Sequence, residues 1–477
     1  MGARGKALWV LLPFFLLYTG PVEDGDFFWH LATGRWIWEH RALPERDPFT
    51  WTAALGQQGA EVPANQRFTL KSYWLGQLGL YGLWSLGGSP AVVLARAAVY
   101  TGILLLLLLW ALRSSGLPAA LLAVAPLGFL LREFPSERPQ LLTFLFAPLA
   151  LLLLERLRTA DDRRALRAGW PLPLLMVLWA NAHGGYLLGL ALIGAALLAL
   201  AGEALLRRGG PRPRHAALLA AAAASAGLNP LGFMALRHFQ MSDPAVVGTI
   251  TEYLSPVQAA LKLQLWFPAY WAFWILALAV VARSFRRIPL FHLLVVAGLG
   301  GLSLTALRHM PLFLMTGPLL APHSPPLDRL RAAAPAVLAI VLAAALYLDR
   351  GELLQLRVGR AFPEQAVAHL KSEGVRGRLF NHYDWGGYLA FFLPGTRVFI
   401  DGRVLNPKTS PIYDAVALSP GGTAALGSMG VGTVVFPRAS PSTRKAYPLA
   451  GELDGDPAWA AVHRDEAATV WKRKGPE

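Results

Sequence analysis

Apolar runs of nearly bilayer-crossing length recur along most of this chain, and they leave it few ways to fold. A membrane-spanning helix needs about 20 predominantly apolar residues. Runs approaching that length fall at residues 4 to 20, 90 to 112, 117 to 131, 140 to 154, 171 to 182, 185 to 201, 215 to 228, 266 to 282, 288 to 307, 310 to 321 and 333 to 348. Of 477 residues, 55% are hydrophobic and 15% charged, the reverse of the balance that covers a water-soluble surface. The pattern predicts a polytopic α-helical membrane protein with about eleven transmembrane helices across residues 1–348. The shorter runs would need tilt, re-entrance or flanking residues to cross.

The tail changes character. Pro363 to Glu373, Pro411 to Leu418 and Gly422 to Met429 read as helices. Arg378 to Phe380, Arg397 to Ile400 and Thr433 to Phe436 read as strands, with Trp459 to His463 and Thr469 to Lys472 as a closing hairpin. Residues 349–477 are therefore expected to form a soluble α/β domain with its own core.

The formal net charge is +15, but the arginines sit in short clusters between apolar runs, an orientation signal and not a nucleic-acid footprint. Arg4 and Lys6, Arg113, the set from Arg156 to Arg167, the set from Arg207 to Arg214, the set from Arg283 to Arg287, and Arg329 with Arg331 all fall on one side of the predicted spans. Basic loops mark the cytoplasm, which puts the N-terminus there. The other side receives a long loop at 21–89, a short one at 132–139, a second large loop at 229–265 and the whole tail. The N-terminal run has the layout of a signal peptide without a convincing cleavage site, and it reads as an uncleaved first helix. Tyr73 to Gly87 is also apolar; counting it as a span would reverse every later loop, so it is expected to be an interfacial helix. With no cysteine, thiolate metal sites, disulfides and a cysteine nucleophile are excluded. No phosphate-cradling glycine loop and no G-x-S-x-G elbow is present, which removes ATP-driven transport and serine hydrolysis.

Directly after the first span comes Glu23-Asp24-Gly25-Asp26-Phe27-Phe28-Trp29-His30, with four ionisable side chains in eight residues. Carboxylates at a low-dielectric boundary acquire raised pKa values or bind a cation, although a solvated acidic turn is the plainer alternative. Asp24 and Asp26 flank a glycine and would present carboxylates to one metal or one sugar hydroxyl.

An acidic pair that opens the first external loop and continues into an amphipathic aromatic helix resembles the GT-C superfamily, which takes sugars from polyprenyl-phosphate carriers. Protein O-mannosyltransferases, aminoarabinose transferases and oligosaccharyltransferases belong to it. The resemblance implies that Asp24 or Asp26, with Glu23 beside them, acts as base on the acceptor or as metal ligand. It puts second-loop acids at Glu133 and Glu137, and the family's large external loop at 229–265, with Arg237, His238, Asp243 and Glu252. In the tail, Asn381-His382-Tyr383-Asp384-Trp385-Gly386-Gly387-Tyr388 is similar to the Trp-Trp-Asp-Tyr-Gly motif of oligosaccharyltransferases. Asp384 and Gly386 match it, Trp385 stands in the Tyr position, and His382 and Tyr383 replace the tryptophans. Glu252, Asp384, Trp385 and Tyr388 are accordingly expected on the acceptor side.

A carrier phosphate needs cations. Arg96, about two turns inside its span, is expensive unless it faces a cavity or an anion; Arg138, Arg308 and His309 lie at the same level, though each would also be content to snorkel toward the headgroups. Asn181 and His183, in the turn 179–185, must be hydrogen-bonded or line a wet cavity. His30 with a nearby acid, and His183 or His309 as third ligand, would hold Mg²⁺, Mn²⁺ or Zn²⁺.

The expected function is transfer of a sugar from a polyprenyl-phosphate carrier to a glycan, lipid or protein acceptor, by a periplasm-facing enzyme of a bacterial inner membrane. The alternatives are a transporter or lipid flippase, and a non-catalytic polysaccharide-assembly protein.

Overall fold

A computed structural model describes residues 11–56, 62–134, 137–206, 212–234, 236, 251–325, 327–330, 333–440 and 444–475. Arg4, Lys6, Arg207, Arg208, Arg237, His238, Asp243 and Arg331 lie outside the described residues. The chain forms two compact units: Met1–Pro21 with Pro90–Leu356, and Val22–Ser89 with Arg357–Glu477.

Among the described residues, four helices are long and apolar enough to cross a membrane: Trp74–Ala111, Gln140–Thr159, Tyr186–Leu205 and Pro268–Arg287. Three apolar helices are shorter, Leu117–Arg132, Leu290–Ser303 and Ala333–Leu348. Length and composition thus bear out a polytopic helical chain but give fewer full-length crossings than the eleven expected. Proline explains part of the shortfall. The run 310–321 divides into Met310–Leu314 and Gly317–Leu320, because Pro311 and Pro318 supply no amide donor to continue a helix through the segment. The apolar stretch Tyr73 to Gly87 is helical as expected, but it continues into the next span. Within Trp74–Ala111 the backbone leaves helical geometry only at Gly87 and Gly88, with Gly88 at φ 60, a conformation that a residue without Cβ adopts freely.

In the first unit, small residues let helices approach closely. Gly128 lies against the Phe14 ring and Gly317 against the Ala123 backbone, with no room for a side chain at either. Tyr18 Oη donates to Gly128 O at 2.7 Å, which satisfies a buried hydroxyl among apolar walls.

The second unit is built on a four-stranded sheet, β1 (Arg378–Asn381), β2 (Val431–Phe436), β3 (Trp459–Arg464) and β4 (Thr469–Arg473), in the order β1-β2-β4-β3. β1 and β2 are parallel, while β4 pairs antiparallel with both β2 and β3. Every residue of β2 is buried, as an apolar central strand covered on both faces requires. Phe380, Phe436, Leu449, Leu453, Trp459 and Trp471 form the middle of the core. The helices expected in the tail are present as Glu364–Glu373, Thr409–Leu418 and Gly422–Ser428.

One expected strand, Arg397 to Ile400, is absent from the sheet. Its backbone is claimed elsewhere: Val398 pairs with Phe49 and Trp51 of the first loop. Asn381 Oδ1 accepts from Phe399 N at 2.8 Å, and Asn381 Nδ2 donates to Ile400 O at 2.9 Å. A side-chain amide thus does the work of a neighbouring strand.

Candidate functional site

In the second unit, the acidic segment becomes the start of a helix, Gly25–His40. Asp24 is its N-cap, and Oδ1 accepts from Asp26 N at 3.0 Å, the usual way a short carboxylate satisfies an orphan amide of the first turn. Arg41 closes the other end in the left-handed conformation, its amide bonding Ile37 O. Phe27, Phe28, Leu31 and Ala32 are buried along this helix. It packs on the tail helix Gly386–Phe392, with Phe28 4.8 Å from the Tyr388 ring and 4.9 Å from the Phe362 ring.

Glycines set the approach of the two segments. A Cβ on Gly25 would lie 2.6 Å from Asp384 O, and one on Gly387 would lie 2.8 Å from Trp29 N. The contact therefore joins the acidic segment to the Asp-Trp-Gly-Gly motif across more than 350 residues of chain. At its edge the Asp26 carboxylate rests directly on Gly402, where a side chain would collide with Oδ1.

Asp26 also acts on Asp384. The surrounding protein, and then the Asp26 carboxylate, raise the pKa of Asp384 above the ordinary aspartate value. Its side chain is 67% exposed, so water screens the effect and little stability attaches to it. The Asp26 carboxylate is thus near enough to Asp384 to disfavour its ionisation, an influence that makes an acid a better proton carrier than an isolated aspartate.

One further group borders Asp384 directly. His382 is 6% exposed and its Nδ1 lies 3.8 Å from Asp384 Oδ2, without a hydrogen bond of its own. Its Nε2 is 3.2 Å from Tyr447 Oη. Burial lowers the pKa of His382 to about 4, which keeps the imidazole neutral at physiological pH. Tyr413 Oη accepts from Tyr383 N at 3.2 Å. Trp385 and Tyr388, expected on the acceptor side, are 3% and 4% exposed. Trp385 Nε1 donates to Ala361 O at 2.9 Å, and Tyr388 stacks on Phe362. Their rings belong to the core, and Asp384 is the exposed member of the motif, with Tyr383 partly exposed beside it.

Beneath Gly402 lies a charge cluster: the Asp401-Gly402-Arg403 segment, similar in sequence to the Arg- and Asp-bearing strand that follows the oligosaccharyltransferase motif, joined by Asp47, which sequence reasoning missed. Arg403 is 1% exposed; its Nε donates to Asp401 Oδ1 at 3.0 Å and its Nη1 to Asp47 Oδ1 at 2.8 Å. Burial works against the guanidinium's charge, but Asp401 and Asp47 outweigh it and hold its pKa above the ordinary arginine value. Asp47 also caps the turn that follows it, accepting from Thr50 N at 2.8 Å. The turn Asp401-Gly402-Arg403 is thereby fixed on both sides of the residue that Asp26 touches. The signal available was Ile-Asp-Gly-Arg, an acid and a base flanking a turn glycine. Its partner, Asp47, lay hidden in an ordinary polar loop.

His30 is buried, stacked on Trp29, and its Nδ1 lies 3.2 Å from Gln77 Nε2. Among the described residues no three His, Asp or Glu side chains converge on a point. The ligand set expected from His30, an acid and His183 or His309 is therefore not assembled among them.

The first unit holds the arginines. Arg96 is 2% exposed and bonds Glu137, Tyr18 O and Gly20 O. This matches a buried guanidinium with a buried carboxylate and two carbonyls. Arg138 and Arg308 both approach Glu252, at 3.8 and 3.9 Å; the Arg308 guanidinium also lies 4.0 Å from the centre of the Tyr253 ring. All three charged side chains are about 30% exposed. Glu133 is half exposed beside Arg132, 3.6 Å away. Asn181 Nδ2 donates to Val177 O and Leu228 O at 2.8 Å each. Gly185 N donates to His183 Nδ1 at 3.0 Å, which assigns the ring proton to Nε2. His309 Nδ1 lies 3.2 Å from Thr305 Oγ1.

No protein-family model and no curated protein sequence matches the chain. Solved structures do. The oligosaccharyltransferase AglB of Archaeoglobus fulgidus, in complex with an inhibitory peptide and a dolichol-phosphate, superposes with a TM-score of 0.56 at 12% identity, covering 91% of this chain and 69% of that one. The same organism's oligosaccharyltransferase tethered to an acceptor peptide gives a TM-score of 0.55 at 12% identity over 90% and 69%. Its complex with Zn and sulfate gives 0.53 at 13% identity over 90% and 68%. At such identity the likeness is one of fold alone: this chain shares the fold of these archaeal oligosaccharyltransferase structures over about nine-tenths of its length.

Proposed function

We propose that this chain is a membrane glycosyltransferase that takes a sugar from a polyprenyl-phosphate carrier and passes it to a glycan, lipid or protein acceptor. The observation that carries the reading is the fold likeness over nine-tenths of the chain, including a structure that contains dolichol-phosphate. The pairing of Asp26 with Asp384 within the second unit adds to it.

Asp26 is the base. Its carboxylate takes the proton of the acceptor nucleophile as that atom bonds to the anomeric carbon. The bond from that carbon to the carrier phosphate breaks, and the phosphate leaves with the electron pair. A single displacement of this kind inverts the anomeric centre. Asp24, engaged as helix cap, and Glu23 before it shape the segment that presents Asp26. Asp384 is the acceptor-side carboxylate, supported from below by Trp385 and Tyr388.

Arg138 and Arg308 take the carrier phosphate, with His309 beside Arg308. A departing phosphate gains negative charge, so cations aimed at it contribute more in the transition state than in the bound ground state. Arg96 and Glu137 hold each other and the chain that follows the first span. Glu133, Asn181 and His183 belong to the polar lining of the same unit.

A divalent metal would find two hard oxygen donors in Asp26 and Asp384. Such a pair suits Mg²⁺ or Mn²⁺, which keep several waters, better than Zn²⁺, which takes three or four protein ligands. If bound there, the ion would lower the charge on the carboxylate pair and favour an anionic nucleophile.

The setting is a bacterial inner membrane, with the N-terminus in the cytoplasm and the second unit on the periplasmic side. About eleven crossings are reached when the shorter apolar helices also span, tilted or re-entrant.

The test is the purified full chain in nanodiscs, offered a panel of undecaprenyl-phosphate-linked hexoses and aminoarabinose and an undecaprenyl-diphosphate-linked oligosaccharide, with release of carrier phosphate as readout. Turnover of one donor, lost in Asp26→Asn, is expected. Full activity in that variant overturns the base assignment, and carrier movement across the bilayer without sugar release would make the chain a flippase.

A further inference from the structure

The first unit contains a cleft that glycosyl transfer leaves without a role. Four helices wall it: Gln140–Thr159 through Leu154, Leu157 and Arg158; Tyr186–Leu205 through Ala196, Ala199 and Leu200; Pro213–Ser225 through Leu219; and Leu290–Ser303 through Phe291. Its empty volume, counted out to the open mouth, is about 380 Å³. The small side chains of Ala196 and Ala199 create the groove between leucine-rich walls. Charge is confined to one end, where Arg158, Glu203, Arg212 and His215 line the cleft.

Those polar groups differ in what they already bond. Arg158 is bound twice by Glu155, at 2.7 Å from Nε and from Nη2. His215 is held between Asp162 and Leu157 O, at 3.2 and 2.8 Å. Arg212 donates only to a backbone carbonyl, Arg158 O at 3.1 Å, and has no carboxylate partner among the described residues. The segments that form this end, residues 155–167 and 212–214 with Glu203, carry seven arginines and four carboxylates. Of the carboxylates, Glu155, Asp161 and Asp162 are engaged by Arg158, Arg164 and His215.

A hydrocarbon-walled groove that ends in an unneutralised guanidinium fits one kind of molecule, an acyl chain joined to a phosphate. We propose that this cleft binds an anionic phospholipid of the surrounding bilayer. An acyl chain lies over the partly exposed Ala196 and Leu200, with the buried Leu154, Leu157 and Leu219 as the floor beneath, and the phosphodiester bonds Arg212. Glu203 selects within the class: it repels a second phosphate and accepts a hydroxyl, which favours a headgroup such as glycerol. The excess of arginines over free carboxylates disfavours zwitterionic lipids, whose added ammonium gains nothing from such surroundings.

The experiment uses the full chain in nanodiscs of phosphatidylcholine alone, or with added phosphatidylglycerol or phosphatidylethanolamine, and follows thermal unfolding. Phosphatidylglycerol is expected to raise the melting temperature by about 3 °C or more, because a ligand that binds only the folded state stabilises it. Arg212→Gln is expected to lose at least half of that gain. Ala196→Leu, which fills the groove without removing a charge, is expected to lose it too while keeping the melting temperature in phosphatidylcholine. Arg287→Gln, an exposed arginine of another basic loop, is expected to keep the full gain. Three results would overturn the proposal: an equal gain with phosphatidylethanolamine, a gain reproduced by inorganic phosphate without the lipid, or the wild-type response in both cleft variants.

Discussion

Arg403 Nη1 donates to Asp47 Oδ1 at 2.8 Å, with the two side chains 1% and 0% exposed, so a charge in the tail is neutralised by one in the first long loop. Removing one partner of a buried ion pair leaves the other unpaired in a medium that cannot solvate it. Arg403→Ala is therefore expected to cost about 3–5 kcal/mol. Asp47→Asn retains shape but not charge and should cost less. Chemical denaturation of the full chain, followed by tryptophan fluorescence, checks both. A loss under 1 kcal/mol in Arg403→Ala, about what an exposed pair contributes, would contradict the buried-pair account.

Gly402 carries a separate prediction. The Asp26 carboxylate occupies the space a side chain would need. Gly402→Ala must push Asp26 aside, while the turn itself stays anchored by Asp401 and Arg403. Carrier release is expected to fall at least tenfold, and KM for the donor to change little, because the carboxylate acts on the acceptor. A variant with normal turnover would separate Asp26 from the chemistry.

Much of this arrangement was legible along the chain, and the reason the rest was not is physical. Period and length reveal a long apolar helix, or a buried strand such as the one expected at Thr433 to Phe436, because each is a local pattern. The acids of the first loop and the Asp-Trp-Gly motif stood out for their chemistry. That Asp26 meets Gly402 depends on two helices closing over Gly25 and Gly387, a contact across most of the sequence. Asp47 carried no local mark at all. Nor could pattern alone tell that Trp385 faces its core, since an aromatic ring in a motif suits stacking on a ligand and packing equally. The expected strand at Arg397 to Ile400 misled for a related reason: its β-branched and aromatic residues are those of a strand, but Asn381 and the first loop saturate its backbone.

The second unit should lose stability in mild acid, with His382 as one source. Folding buries the imidazole and lowers its pKa from 6.5 to about 4. Between those values the unfolded chain binds a proton that the folded one refuses. The contribution is complete above pH 6.5 and is lost as pH falls toward 4, at up to about 1.4 kcal/mol per pH unit. His382→Gln, which keeps a polar group near Tyr447, is expected to flatten this part of the profile. Asp384 works in the opposite sense. Its raised pKa makes the folded state the better proton binder just above pH 3.8, so its own contribution declines as pH rises through that window. Asp384→Asn should remove that decline. Denaturation midpoints at half-unit pH steps would reveal the His382 contribution, with that of Asp384 small because its side chain is 67% exposed, and an unchanged slope in His382→Gln would show that another group titrates.

The last prediction concerns Glu252, which sits between Arg138 and Arg308 at 3.8 and 3.9 Å. A carboxylate held loosely by two guanidinium groups occupies the place that a phosphate with similar oxygen geometry would take. If these arginines receive the carrier phosphate, Glu252 competes with it. Replacing Glu252 by Gln keeps the shape and removes the negative charge, so undecaprenyl phosphate should bind more tightly, by roughly tenfold for about 1.4 kcal/mol of relieved repulsion. Arg138→Ala and Arg308→Ala should each weaken binding by about 1.5–3 kcal/mol, the usual contribution of a charge-assisted hydrogen bond. Combining Glu252→Gln with either arginine variant should recover part of the loss, because the remaining guanidinium is then freed from its carboxylate. Titration of undecaprenyl phosphate by microscale thermophoresis on the full chain in nanodiscs measures the wild type and all five variants. Weaker binding in Glu252→Gln would mean that the carboxylate orients the arginines for the ligand, and the competition argument would fall.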